Sequence, residues 1–252
     1  MYTQEAPTTA PTTAPITPGA AGTAAHPTKR VGDISARLAG AGALTFAVTV
    51  VVQNLVRGAS APAMNASSRE ILTHYAGHDL ITYFLTATYV VSGIGIAVFL
   101  GGAMRRLLAS ARRGWAFTGF VGATSIMALF AVVVAAEQAV GVVAHQDQAS
   151  IAAIEALWAL HNSVFTVLEL AIATALLGLA RAGVAAGITP RIFDRLAPVG
   201  SALLLVGTLA GPSIAGGHNM ALFGVSALGF VVWLAFVATT GLRLVRSVEE
   251  GS

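Results

Sequence analysis

The chain contains no cysteine. Disulfides, thiolate zinc sites, cysteine nucleophiles and cysteine-ligated iron–sulfur clusters are therefore excluded, and any metal would have to be held by His and carboxylates. Charge is almost as scarce. Asp, Glu, Lys and Arg make up only 10% of the 252 residues, against 56% hydrophobic residues and a mean hydropathy of +0.77. Those values exclude an ordinary soluble domain and place the chain among integral membrane proteins. A net charge of +3 and a pI near 9.8 would suit an acidic partner. The basic residues, however, lie in the gaps between apolar runs, where membrane topology explains them and nucleic acid is not needed.

Six apolar runs are present, at about 38–56, 80–104, 115–143, 151–180, 196–215 and 221–242. Each is long enough for one crossing, so the fold class expected is all-α, a six-helix transmembrane bundle over 36–246. Residues 1–35 read as a disordered tail, because an Ala/Pro/Thr repeat offers nothing to bury, and 247–252 as a second short tail. Ala61-Pro62-Ala63 imitates a peptidase site, but the apolar segment before it is too long and too far from the start, which fits an uncleaved first helix. Residues 57–79 read as a polar loop. Gly211-Pro212 should kink or end the fifth helix, since proline lacks the N–H that a helix interior uses.

Charge gives the direction. Lys29, Arg30, Arg37, Arg105, Arg106, Arg112, Arg113, Arg181, Arg191, Arg195, Arg243 and Arg246 fall on one side, against Arg57 and Arg69 on the other. The positive-inside rule then places both termini in the cytoplasm.

The run 151–180 carries the chemistry. Glu155, Asn162 and Glu169 recur every seven residues, about two turns, so they share one helix face. A carboxylate in mid-membrane costs roughly 2.5–3.5 kcal/mol, so that face must look inward. One reading is a ligand or proton pocket built from Glu169, Asn162, His161, Glu155 and Glu137, with Thr82, Thr86 and Tyr89 as polar lining and a Thr45, Thr49, Gln53 stripe on the first helix facing the same interior. A second is a metal-dependent enzyme. His74 and His78 are spaced i, i+4, Asp79 is adjacent, and Glu155, His161 and His218 could come from other segments; haem between His78 and His161 is a weaker variant. A third has no site at all, with the histidines decorating the interface and Glu169 packed as a neutral or hydrogen-bonded residue. No cofactor is required by the sequence, and a divalent metal is the one that its donors could hold. Trp115 and Trp158 fit interfacial belts, Trp233 fits the core, and Gly207 with Gly211 forms a close-packing GxxxG.

The RLAGAGAL opening of the first crossing, the linker ending Ile188-Thr-Pro-Arg191 and the LAPVGSALLLVG after it resemble the DUF4386-type families of bacterial membrane proteins with six to seven helices. The resemblance implies a polytopic bundle in a bacterial cell membrane and brings no catalytic residue. The Ala-, Gly- and Arg-rich composition points the same way, toward a GC-rich genome. The expectation is thus a polytopic protein of the bilayer, with a polar interior opening outward and a small molecule as its other partner.

Overall fold

A computed structural model describes the chain over residues 26–249, with side chains from 34 to 247 except that of residue 79. The expected Ala/Pro/Thr tail lies outside the described residues as far as residue 25. Its last part, 26–35, is helical, as is the chain up to Glu249. Among the described residues there are eight helices and no strand. They are α1 (His26–Ser60), α2 (Ser68–Gly77), α3 (Asp79–Leu108), α4 (Arg113–Ala144), α5 (Ile151–Ala185), α6 (Phe193–Leu209), α7 (Gly211–Ala215) and α8 (Met220–Glu249).

Five helices, α1, α3, α4, α5 and α8, are long and apolar enough to cross a membrane. The run expected as the fifth crossing is split. Helix α6 has 17 residues and ends at Leu209, and α7 restarts at Gly211 with Pro212 in its first turn. At 1.5 Å per residue α6 alone falls short of a hydrocarbon core about 30 Å thick. The break sits where proline removes a donor from the ladder.

The segment 57–79 is not a continuous loop. Its second half forms α2, a ten-residue amphipathic helix that buries Ile71 and Tyr75. Ser67 and Glu70 close a capping box: the Ser67 hydroxyl accepts from the Glu70 N–H at 3.3 Å, and the Glu70 carboxylate accepts from the Ser67 N–H at 2.7 Å. The Ser67 N–H, and after it the Ser67 hydroxyl, hold the Glu70 carboxyl below the usual range. Ser67→Ala removes one half of this exchange. Hydrogen exchange of the amides in 68–77 should then speed up several-fold while α4 and α5 stay protected.

Helix α5 is the hub, packing against α2, α3, α4, α6, α7 and α8. Its closest approach is to α4, across glycines. A Cβ built on Gly119 would stand 2.6 Å from the Leu179 nitrogen, and those on Gly122 and Gly178 would run into the backbone of Ala175 and Gly119. On the outside, Val48, Ile94, Val121 and Val231 are exposed, as lipid-facing side chains should be. The helices alternate in direction, so every described arginine except Arg57 and Arg69 lies at or near one end of the bundle.

Candidate functional site

The arginine-poor end closes over a buried polar cluster. Arg57 stands in the last turn of α1 and donates two hydrogen bonds to Glu137 of α4, from Nη1 to Oε1 at 2.5 Å and from Nη2 to Oε2 at 2.8 Å. The Tyr75 hydroxyl of α2 donates to the same Oε1 at 3.2 Å. Burial first, and the Glu137 charge second, push the Tyr75 ionisation upward, so the phenol stays a donor. His161 of α5 faces the pair, its Nε2 lying 3.3 Å from Arg57 Nη1 and 3.4 Å from Glu137 Oε1. Its ring stacks on Trp158 at 4.7 Å and 7°.

Asn162 fixes the tautomer. Its Nδ2 donates to the Met64 carbonyl at 3.0 Å, so its Oδ1, 3.0 Å from His161 Nδ1, can only accept, and the Nδ1 must carry hydrogen. The other ring nitrogen then has two settings. As a bare Nε2 it accepts from Arg57; as N–H it donates to Glu137.

Below the cluster lies a cavity of about 260 Å³ between α1, α3, α4, α5, α6 and α8. Phe46, Phe130, Phe165, Phe223, Phe230 and Trp233 line it, and Asn54 and Arg57 border it on the cluster side. Phe165 links the two levels, with its ring 6.3 Å from His161 and 6.4 Å from Phe223. Three nearly fully buried polar side chains also line the cavity, Gln53, Ser92 and Glu169. Glu169 Oε1 accepts from the Ser226 hydroxyl at 2.7 Å. Its Oε2 rests over Gly207, where a Cβ would collide with it. That oxygen and Gln53 Nε2 have no hydrogen-bond partner among the described residues, an arrangement that costs on the order of 1–3 kcal/mol per group.

The structure therefore divides the expected polar interior in two, a closed polar cluster above and an aromatic cavity below. Of the stripe on α5, Asn162 and Glu169 are buried as expected, but Glu155 is exposed and accepts from the Ser68 hydroxyl at 2.8 Å, fastening α2. Glu137 and His161 come together with Asn162. Thr86 and Tyr89 do not line the cavity; they tie α3 to α4, Thr86 accepting from Gln138 at 3.1 Å and Tyr89 donating to the Met127 carbonyl at 3.2 Å. Of Thr45, Thr49 and Gln53 only Gln53 is buried, because steps of four residues turn 400° and drift 40° each time. Trp158 is not an interfacial belt residue, being buried with its indole N–H donating to the Met64 carbonyl at 3.2 Å.

Among the described side chains the expected metal donors do not converge; the side chain of Asp79 lies outside them. His74 and His78 stack on each other at 4.6 Å, and His78 Nδ1 donates to the His74 carbonyl at 2.8 Å. Burial and then His78 keep the His74 imidazole below its usual range. His218 sits in the turn after α7 against Gly216, and Asp79 opens α3. Among the described residues no three His, Asp or Glu side chains are placed to share an ion. Haem between His78 and His161 would need a nitrogen of each imidazole aimed at one iron, whereas the two nitrogens of His161 face Asn162 and the Arg57–Glu137 pair.

Two members of the cluster are absent from the expected site, Arg57 and Tyr75. Arg57 carried a signal, since it follows Gln53 by four residues, one turn further along the same face. Tyr75 carried none while α2 read as loop. No protein-family model matches this sequence, and no curated protein or solved structure matches it significantly.

Proposed function

We propose that this protein binds a small, largely apolar molecule inside the bundle, in the cavity between Gln53 and Glu169, with the Arg57–Glu137–His161 cluster closing one end. The observation that carries the reading is the pairing of an aromatic cavity with two buried polar atoms that have no partner among the described residues. Binding sites of this make-up take their affinity from apolar walls and their selectivity from a few polar groups. In this reading α6 and α7 together make the sixth crossing, and the arginine-rich end and both termini face the cytoplasm. A proton-linked form of the same function rests on the two settings of His161.

The probe for a test is 4-bromophenol, an aromatic ring with one hydrogen-bonding group and a bromine that quenches tryptophan. It should quench Trp233 in the purified protein, and the quench should vanish in Trp233→Phe. Ala227→Phe, which fills the cavity, should abolish the effect. Glu169→Leu should weaken it about tenfold by removing one polar contact. That variant should fold, because the Ser226 hydroxyl can turn its one hydrogen to the Phe223 carbonyl 2.9 Å away. Quenching of Trp233 that survives Ala227→Phe would place the probe in the surrounding lipid and end the proposal.

A further inference from the structure

At the opposite, arginine-rich end the bundle holds a second recess of about 880 Å³, between the ends of α3, α5 and α8. Its floor is made of small residues, Ala109 to Ala111 after α3 and Ala185 to Gly187 after α5, so no side chain fills it. Gly187, at a φ of 73°, turns the chain away from the end of α5 and keeps the space open. Its rim is basic. Arg106 comes from the last turn of α3, and Arg243 and Arg246, three residues apart, from one face of α8.

None of these three guanidiniums has an ion pair or a side-chain hydrogen bond to another described residue. The contrast is Arg112 nearby, which is paired with Asp194 at 2.7 Å. The C-terminal carbonyls of three helices point toward this end and offset part of the charge. They cannot occupy the recess. Guanidiniums match the paired oxygens of a phosphate, and a basic hollow between membrane helices at the interfacial level is placed to meet a headgroup.

We infer that Arg106, Arg243 and Arg246 form a phosphate-binding site for the headgroup of an anionic phospholipid. The site is independent of the cavity near Glu169. The test is native mass spectrometry of the full chain in detergent with added phosphatidylglycerol or phosphatidylcholine, followed by thermal unfolding with and without sodium phosphate. Phosphatidylglycerol should bind about tenfold more tightly than phosphatidylcholine. The combined variant Arg106→Gln, Arg243→Gln and Arg246→Gln should lose that preference. A control that removes the same charge from the same end, Arg105→Gln, Arg113→Gln and Arg195→Gln, should keep it. Phosphate that stabilises the protein through the three rim arginines, while phosphatidylglycerol shows no preference, would overturn the lipid assignment in favour of a soluble phosphate. Equal losses in the two triple variants, or a preference that survives the rim variant, would reduce the effect to general surface charge and overturn the site itself.

Discussion

Arg57→Met destabilises the bundle by about 3–5 kcal/mol, the range for removing one partner of a buried ion pair. The loss is large because of what remains. Glu137 is left with a side chain only 4% exposed, and no second guanidinium among the described residues reaches it. Glu137→Gln should cost less, since Arg57 is 16% exposed and stands at a helix end from which its long side chain can reach water. Combining the two should recover most of the loss. A glutamine at 137 can accept from Tyr75 and donate to the bare Nε2 of His161, so the double variant buries no unpaired charge. Reversible unfolding in mixed micelles measures all three variants. If Arg57→Met and the double variant lose the same stability, the guanidinium is not what Glu137 depends on.

Gly178→Ala and Gly122→Ala make up the second large effect. In both, the added methyl meets backbone of the facing helix rather than the tip of a flexible side chain. Relief therefore requires α4 and α5 to separate, at a cost toward the upper end of the 1–3 kcal/mol seen for overpacked cores. Gly141→Ala is the internal control, on the same α4 with nothing within 4 Å of the new methyl. It should gain about 0.5–1 kcal/mol from lower backbone entropy in the unfolded chain. Unfolding midpoints that move alike in the three variants would mean that the α4–α5 contact is looser than described.

Legibility followed the physics of each feature. Long apolar runs announce membrane helices whatever their neighbours, so α1, α3, α4, α5 and α8 were readable. So was the burial of Asn162 and Glu169, because a polar stripe on an apolar helix has one tolerable direction. Helix α2 was not, since ten residues of mixed polarity look like a loop; the Ser67 and Glu70 pair was the one local sign of its start. The glycine seam of α4 and α5 was hidden among 27 glycines, because only the facing helix decides which of them is crowded. The fate of Glu155 depended on where α2 docks, a tertiary fact that a period of seven cannot carry.

Arg57 precedes Glu137 by 80 residues. A chain made from its N-terminus has to settle α1 in the bilayer while the carboxylate that will neutralise its last turn is still unmade. During that interval the guanidinium, at the end of its helix, can extend to water or lipid headgroups. Synthesis of α4 then supplies the carboxylate that holds the guanidinium inside the bundle.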